Sequence, residues 1–262
     1  MTFHQIKHFL KHFFSAKRKG HGVHSPFAYQ LCEEVFYNRN SFYDLEQLNF
    51  IRKDLLRDKQ VLEIEDFGAG SKTFKSNQRK IKDIVAKGIS SQKQSELFYK
   101  LINFLNCKHC VELGTSLGLN TLYFSKACKN GNITSIEGSK SLYDFANALA
   151  EKHQASNINF VYGKFDDLLP KTLHALPELD LFYVDGNHNY EATLNYFKIA
   201  LEKKHNHSVF IFDDIYWSQG MTKAWEEIKN RAEVTLSIDT FYFGLIFFRE
   251  EVKEKTHLKF WF

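Results

Sequence analysis

The sequence predicts an α/β protein built on an open, mostly parallel sheet of seven strands whose last strand runs antiparallel. Apolar runs of strand length alternate with stretches of helical period along most of the chain. Several of these runs end in an acidic residue, at the carboxyl edge where open α/β sheets bind ligands. Two final apolar runs flank a short turn at 239–241. This ending indicates a hairpin, which would make the last strand antiparallel.

The expected strands follow one another in chain order from the middle of the sequence. They lie near residues 109–113, 132–137, 157–162, 180–185, 208–213, 233–238 and 242–249. The last segment, 257–262, is aromatic and alternates in polarity. It is therefore expected to pair with a sheet edge or with a second subunit, which would make the protein a homodimer.

Composition sets the outer limits of function. With 262 residues, 44% hydrophobic and 25% charged, the chain can bury a large core as one domain plus an appendage. No apolar run approaches the roughly 20 residues of a membrane span, so no membrane partner is expected. The four cysteines, Cys32, Cys107, Cys110 and Cys128, lack a disulfide-framework spacing, which favours the reducing cytoplasm. A net charge of +4 does not decide a partner.

The first segment is basic, since no acidic residue precedes Glu33. Residues 3–14 have helical period, which predicts an amphipathic helix. Its apolar side holds Phe3, Ile6, Phe9, Leu10, Phe13 and Phe14, and its polar side holds His4, Lys7, His8, Lys11 and His12. This helix would bind nucleic acid or an anionic surface, would hold a metal through histidines at i and i+4, or would pack on the body with a solvated polar face.

The remaining N-terminal residues are expected to alternate loops and helices. A loop over 17–26 contains His21 and His24, and a helix begins near Pro26. Another helix is expected over 43–58. The stretch 61–82 is expected to be a loop, and its basic and hydroxyl side chains would line an entrance. These side chains are Ser71, Lys72, Arg79 and Lys80.

The strongest local pattern is the stretch 109–121, HCVELGTSLGLNT, where a predicted strand enters a glycine turn and then a helix. Glu112 lies at the end of the strand, Gly114 permits a sharp turn, and Gly118 permits close approach to a ligand or to the sheet. A dinucleotide fingerprint is G-x-G-x-x-G, whereas this chain has E-x-G-x-x-x-G. A carboxylate at this position suits a cationic ligand and would repel pyrophosphate. Taken alone, the pattern also fits an NAD-dependent oxidoreductase.

This stretch resembles motif I of the class I S-adenosylmethionine-dependent methyltransferases, in the form used by the catechol and caffeoyl-coenzyme-A O-methyltransferase branch. The resemblance covers roughly residues 88–250. It implies a Rossmann-like class I methyltransferase fold that binds S-adenosylmethionine, with a serine-containing turn at 88–91 over the methionine end. The cofactor-binding positions would be Ser90, Glu112, Gly114, Thr115, Ser116, Gly118, Asn120, Glu137, Gly138, Phe165, Asp166 and Asp185.

The second and third predicted strands add nucleoside contacts. Glu137 ends the second strand and can accept both ribose hydroxyls, whether the ligand is a dinucleotide or S-adenosylmethionine. Gly138 permits the close turn, and Ser139 is expected to cap the following helix. In methyltransferases the segment after the third strand meets adenine, so Phe165 would stack and Asp166 would accept from the exocyclic amine. Either residue could equally belong to a surface turn.

The fourth and fifth predicted strands deliver further acidic residues to the same edge. Asp185 is followed by His188, and Asp213 and Asp214 end the next strand. VDGNHNY and DDIYWSQG look like the metal-bearing motifs of the same O-methyltransferases, which implies metal ligands at Asp185, Asp213 and Asp214. The resemblance also implies catalytic roles for Asp185 and His188. An Asp-Asn pair at 213–214 and a lysine at 188 are usual, so this chain departs from the family pattern.

Chemistry accounts for such a set of residues. Methyl transfer from a sulfonium needs an acceptor held in line and deprotonated. A divalent cation such as Mg²⁺ lowers the acceptor pKa, and His188 can take the proton. In the alternative, Asp185 only caps or holds water, and Asp213 and Asp214 cap the next helix.

The leading hypothesis is O-methyl transfer to a small-molecule hydroxyl by residues 88–262, with residues 1–87 as a helical cap or lid over the acceptor. The alternatives are an RNA methyltransferase that recruits its substrate through the basic arm 1–24, and a binding protein with this fold but no turnover. An NAD-dependent oxidoreductase is disfavoured by the antiparallel ending. Cys107 and Cys110 form a C-x-x-C that lacks a second ligand pair, so they are expected to be incidental thiols rather than a zinc or redox site.

Overall fold

The computed structural model describes residues 2–17, 23–40, 42–65 and 76–261. His21, Ser71 and Lys72, named above as loop or entrance residues, lie outside the described residues. The chain divides into two compact units. One comprises Arg39–Thr172, and the other comprises Met1–Asn38 together with Leu173–Phe262.

Helices and strands alternate through most of the described residues. The α-helices are α1 (Phe3–Ser15), α2 (Pro26–Leu31), α3 (Tyr43–Leu55), α4 (Ile81–Lys87), α5 (Gln92–Leu105), α6 (Leu119–Ala127), α7 (Lys140–Lys152), α8 (Phe165–Ala175), α9 (Tyr190–Leu201) and α10 (Gln219–Asn230). The strands are β1 (Val61–Glu63), β2 (Gln78–Lys80), β3 (His109–Leu113), β4 (Asn132–Glu137), β5 (Ile158–Tyr162), β6 (Leu181–Val184), β7 (Val209–Asp213), β8 (Leu236–Asp239), β9 (Phe243–Phe247) and β10 (Thr256–Lys259). A π-helical turn, Cys32–Phe36, follows α2.

The unit Arg39–Thr172 contains the first three predicted strands of the main sheet. β3 pairs with β4 and β4 with β5, all parallel. In this register Glu112 lies opposite Ser135, so the ends of β3 and β4 reach the same edge. β3 is buried from Cys110 to Leu113, because helices cover a parallel sheet on its faces.

The second unit contains the other strands of the main sheet. β6 and β7 are parallel, β9 runs antiparallel between β7 and β8, and β10 is parallel to β8. The predicted antiparallel ending is therefore confirmed, and so is pairing of the aromatic tail with a sheet edge. With β10 included, the mostly parallel α/β sheet has eight strands in the described residues rather than the seven predicted.

The prediction of a loop over 61–82 is wrong for its described residues. β1 and β2 form an antiparallel pair, with Leu62 opposite Arg79, and α4 begins directly after Lys80. β2 has the sequence Gln-Arg-Lys and is largely exposed, so it lacks the apolar alternation by which a strand is recognised.

The helix predicted over residues 3–14 is confirmed as α1, but the histidines of its polar side are covered by the protein, while Lys7 and Lys11 are exposed. His12 is 1% exposed, and His4 and His8 are half-buried. The apolar side points outward, with Phe3 86% and Phe14 82% exposed. The periodicity of a sequence identifies the two sides of a helix but does not determine which side meets the protein.

Among the described residues, no helix combines the length and the apolar character needed to cross a bilayer.

Candidate functional site

The turn between β3 and α6 has an unusual backbone. Gly114, Ser116 and Gly118 all have positive φ, at 98°, 51° and 76°. Such angles are uncommon for a residue with a side chain, and they cluster at ligand-binding turns. A Cβ on Gly118 would lie 2.9 Å from the Cβ of Ala146 in α7. The close approach that this glycine allows is therefore to a neighbouring helix.

Glu112, at the end of β3, is a buried carboxylate with one oxygen satisfied and one not. Its Oε2 accepts hydrogen bonds from Thr121 Oγ1 at 2.5 Å and from Ser135 Oγ at 2.6 Å. Its Oε1 is buried without a hydrogen-bond partner. Leaving a buried acceptor unpaired costs about 1–3 kcal/mol, so this oxygen marks a position for a donor.

The ionisation of Glu112 reflects this environment. The pKa of Glu112 is raised to about 7, chiefly by burial. The hydrogen bonds from Ser135 and Thr121 lower this pKa, and the nearby negative charge of Glu137 contributes to the rise. No cationic side chain is among these influences. A cationic ligand group at Oε1 would lower the pKa of Glu112 again, because a nearby opposite charge favours the ionised form of a carboxylate.

Glu137, at the end of β4, is held by backbone donors. The amide of Ser116 donates to its Oε2 and the amide of Ser139 donates to its Oε1, both at 2.8 Å. A carboxylate has about four acceptor sites, and these two bonds fix its plane. Ser139 is the N-cap residue of α7 as predicted, but its side chain makes no capping bond. Instead its Oγ accepts from the amide of Glu65, so the predicted capping interaction is wrong.

Two other predicted residues belong to a buried hydrogen-bond chain. Asn120 Nδ2 donates to Ser90 Oγ at 2.9 Å, and Ser95 Oγ donates to Asn120 Oδ1 at 2.6 Å. Arg52 Nη2 donates to Ser95 Oγ at 2.8 Å. Since an arginine can only donate, this chain has a fixed direction and sets the orientation of the Asn120 amide. Arg52 and Ser95 were not predicted, because they look like ordinary helix residues in the sequence.

The other predicted cofactor positions surround these groups in the chain. Thr115 is buried, with its hydroxyl 2.5 Å from that of Ser135. Gly138 is half-buried between Glu137 and α7. Phe165 opens α8 and is half-buried, whereas Asp166 is exposed. Their predicted contacts with a nucleoside stay predictions.

A second group of polar residues follows β6 and β7 in the other unit. Tyr183 hydroxyl lies 3.1 Å from Asp185 Oδ2 and 2.9 Å from Asp213 Oδ2. One hydroxyl has one proton, so it can donate to only one of these carboxylates at a time. The structure thus brings Asp185 and Asp213 together across the two parallel strand ends. Tyr183 was not predicted, since it reads as a core strand residue.

His188 completes this group. Its Nε2 lies 3.7 Å from Asp185 Oδ1 and 3.9 Å from Asp214 Oδ2. Its ring centroid is 6.0 Å from that of Trp217. Asp214 has a positive φ of 54°, a conformation that aspartate tolerates better than most residues. The predicted catalytic pair Asp185 and His188 is therefore in proximity, with Asp214 on the other side of the ring.

The alternative role of these aspartates as helix caps is wrong. Asn189 caps α9, where its Oδ1 accepts from the amide of Glu191 at 3.0 Å. Ser218 caps α10, where its Oγ accepts from the amide of Met221 at 3.1 Å. The N-caps of α9 and α10 are therefore Asn189 and Ser218, not the aspartates.

A different acidic group lies at the opposite end of the same two strands. Glu178, Asp180 and His205 place one ligand atom each within 4.8 Å of one another, and in the described part of the chain no other such group is found. Asp180 precedes β6 and His205 lies before β7, so this group is at the amino ends of these strands. His205 Nε2 is 3.1 Å from Asp180 Oδ1, an ordinary ion-pair geometry.

The cysteines of the middle segment are buried. Cys110 Sγ lies 3.9 Å from Cys128 Sγ. Hydrogen bonding with Cys107 and Cys128, together with burial, raises the pKa of Cys110 well above its usual range. Such thiols are poorly reactive.

Comparison with known proteins finds a family match to part of the chain. Residues 111–215 match a family model described as a methyltransferase domain. No curated protein sequence matches the chain significantly.

Solved structures with the same fold include several O-methyltransferases. TomG from Streptomyces achromogenes, an O-methyltransferase involved in tomaymycin synthesis and solved with SAM, is 21% identical with a TM-score of 0.57, over 85% of this chain and 95% of that one. An O-methyltransferase from Bacillus cereus in complex with SAH is 15% identical with a TM-score of 0.56, over 84% and 96%. A caffeoyl-CoA O-methyltransferase-like protein from Staphylococcus aureus is 15% identical with a TM-score of 0.52, over 61% and 84%. These likenesses confirm the fold.

Proposed function

We propose that this protein is a class I methyltransferase that transfers a methyl group from S-adenosylmethionine to a hydroxyl group of a small molecule. The observation that carries the proposal is Glu112 Oε1, a buried carboxylate oxygen without a hydrogen-bond donor at the carboxyl end of β3. A cationic ligand would supply the missing donor and charge. The SAM and SAH complexes of TomG and of the Bacillus cereus enzyme support this choice of ligand.

On this proposal, the unit Arg39–Thr172 binds the methyl donor. Glu112 Oε1 accepts a hydrogen bond from the ligand ammonium, and Glu137 accepts hydrogen bonds from the ribose hydroxyls. The chain that links Arg52, Ser95 and Asn120 holds the polar groups near the methionine end in one orientation. S-adenosylmethionine supplies an electrophilic methyl group on a sulfonium.

Asp185 and His188 would act on the acceptor. His188 removes the hydroxyl proton at Nε2, and Asp185, 3.7 Å away, stabilises the resulting imidazolium. A hydroxyl so deprotonated is a better nucleophile, and the remaining requirement is alignment with the methyl group.

The donor chemistry of this group suits a divalent cation, although its three carboxylates are not among the described groups whose ligand atoms all lie within 4.8 Å of one another. Three carboxylates, from Asp185, Asp213 and Asp214, offer hard oxygen ligands of the type that Mg²⁺ prefers. Asp185 and Asp213 already converge, since their Oδ2 atoms share the Tyr183 hydroxyl. A bound cation would lower the pKa of the acceptor hydroxyl and hold it in place.

Calorimetric titration with S-adenosylmethionine and NAD⁺ in parallel, with and without Mg²⁺, tests the proposal. We expect roughly micromolar binding of S-adenosylmethionine only. The Glu137→Ala variant should bind about a hundredfold more weakly, because hydrogen bonds to a charged acceptor contribute about 1.5–3 kcal/mol each. Glu151→Ala, at an exposed position of α7, is the matched control.

Equal affinity in Glu137→Ala and wild type would reject the placement of the ribose. Binding of NAD⁺ instead would favour the oxidoreductase. Tight binding of S-adenosylmethionine without formation of S-adenosylhomocysteine from any hydroxyl acceptor would favour a binding protein. An RNA substrate would give an affinity that falls steeply between low and moderate salt.

A further inference from the structure

Helix α1 is attached to its own unit by its three histidines and by Phe9, whose ring lies edge-on to that of Phe241 with centroids 5.1 Å apart. His4 Nε2 lies 2.9 Å from Thr222 Oγ1, and the ring of His8 stacks on that of Tyr216 with centroids 4.7 Å apart. His12 is buried, with Nδ1 3.2 Å from Asp239 Oδ1. These contacts are spread over two turns of the helix. They fix its rotation about its own axis, so the other side must face outward.

The side that faces outward is apolar. Its residues follow one another at helical spacing and form what we call the outward stripe. The outward stripe consists of Phe3 (86% exposed), Ile6 (45%), Leu10 (49%), Phe13 (41%) and Phe14 (82%). Single exposed apolar residues are normal on protein surfaces, but a contiguous row of five marks an interaction site.

The charges beside the outward stripe identify the partner. Lys7 and Lys11 are both exposed and lie next to the stripe, since Lys7 is four residues from Phe3 and Lys11 is three from Phe14. No acidic residue occurs in the sequence before Glu33. A partner that binds both the outward stripe and the two lysines needs an apolar layer with negative charges at the surface of that layer.

A second copy of this chain fits less well. If two copies packed α1 against α1 about a twofold axis, Lys7 and Lys11 of both copies would be brought together, and like charges repel. RNA would pair with the lysines but would leave the phenylalanines in water. A bilayer surface with anionic phospholipids offers phosphates to the lysines and an acyl boundary to the stripe.

We propose that α1 docks flat on an anionic membrane surface through the outward stripe, with Lys7 and Lys11 at the headgroup level. The attachment is peripheral and needs no membrane-spanning segment, and it departs from the expectation, based on the lack of a long apolar run, that the protein has no membrane partner. The contacts of His4, His8 and His12 hold α1 with the outward stripe exposed to solvent. Binding to the membrane therefore costs little conformational entropy. This proposal does not depend on the methyl-transfer reaction.

Sedimentation of the full chain with vesicles tests the proposal. We expect binding to vesicles of phosphatidylglycerol mixed with phosphatidylcholine, and much weaker binding to phosphatidylcholine alone. The double variant Phe3→Ser/Phe14→Ser should lower the partition coefficient at least about tenfold, because both side chains lose their contact with the acyl boundary. The double variant Lys7→Gln/Lys11→Gln should lower it roughly thirtyfold at low salt.

Phe50→Ser is the matched control, since Phe50 is 64% exposed on α3 and lies outside the outward stripe. All four substituted residues of α1 are exposed, so the variants should unfold at the same urea concentration as wild type. The proposal is overturned if wild type does not bind the anionic vesicles, if neutral vesicles bind it equally, or if the variants bind like wild type. It is also overturned if wild type sediments as a dimer that Phe3→Ser/Phe14→Ser dissociates, without binding vesicles.

Discussion

Glu112 and Asp239 are both buried carboxylates, yet their surroundings are opposite. Asp239, 4% exposed, accepts from Tyr216 hydroxyl at 2.5 Å and from the amide of Phe241 at 2.8 Å, and His12 Nδ1 lies 3.2 Å away. Burial by itself would raise the pKa of Asp239, but the bonds from His12 and Tyr216 lower it below its usual value. Burial raises the pKa of Glu112 to about 7, and one of its oxygens has no donor.

The difference separates a structural carboxylate from one arranged for a ligand. Both oxygens of Asp239 are satisfied by donors of the protein, one by the Tyr216 hydroxyl and one by the amide of Phe241. Glu112 has neutral donors on one oxygen and nothing on the other, a costly arrangement unless a cationic group binds there. Counting the partners of each oxygen therefore distinguishes the two residues, whereas burial does not.

The largest expected effect is on stability at Asp239. The substitution Asp239→Asn should lower the free energy of unfolding by about 3–5 kcal/mol. One of the two oxygens that accept from Tyr216 and Phe241 becomes a buried amide donor, so this new donor and one donor of the protein are both left unpaired, at about 1–3 kcal/mol each. The lowered pKa of Asp239 means that its stabilisation is present above its usual pKa of 3.8 and is lost as pH falls through the folded value. Urea unfolding of wild type and variant across pH measures both. A variant as stable as wild type near neutral pH would show that this network contributes little.

Glu112 should show the reverse dependence. The pKa of Glu112 is raised in the folded protein, from 4.5 to about 7. The protonated carboxyl therefore contributes its full stabilisation below pH 4.5, and this stabilisation is lost as the pH rises through about 7. Glu112→Gln should therefore stabilise the ligand-free protein by roughly 3 kcal/mol at about pH 8, and by less than about 1 kcal/mol at about pH 5. Thermal or urea unfolding at the two pH values, with Glu151→Gln as control, checks this. A destabilised Glu112→Gln variant at the higher pH would mean that the carboxylate is satisfied after all.

A smaller effect is expected at Thr121. The Thr121→Val substitution preserves shape but removes one of the two donors to Glu112 Oε2. We expect a loss of about 1 kcal/mol of stability and a further rise in the pKa of Glu112. The pH at which ligand affinity increases should then move upward, which titration calorimetry would detect. An unchanged pH profile would indicate that Ser135 alone controls this carboxylate.

Much of the sheet could be predicted from the sequence because each strand is a short apolar run ended by a charged or turn residue. The bounds of β3 and β4 coincide with the prediction for this reason. The polar strand β2 has no such pattern and was missed. The orientation of α1 was also not predictable, since it depends on a contact between His12 and Asp239, which lie far apart in sequence.

The candidate site could be predicted where its residues lie close together in the sequence. Glu112, Gly114 and Ser116 belong to one turn, and the chain itself positions them. Tyr183 and Arg52 were missed because their roles depend on elements brought together by folding. Arg52 looks like a solvent-exposed helix residue in the sequence, yet it is 5% exposed and bonded to Ser95.

The central claim is that Glu112 Oε1 receives the positive end of the methyl donor. Calorimetric titration of wild type and Glu112→Gln with S-adenosylmethionine, from about pH 6 to about pH 7.5, tests it directly. For wild type we expect the affinity to rise several-fold, up to about tenfold, as Glu112 ionises. Glu112→Gln should bind more weakly at the upper pH and show no such rise. A flat profile in wild type, or the same rise in the variant, would contradict the claim.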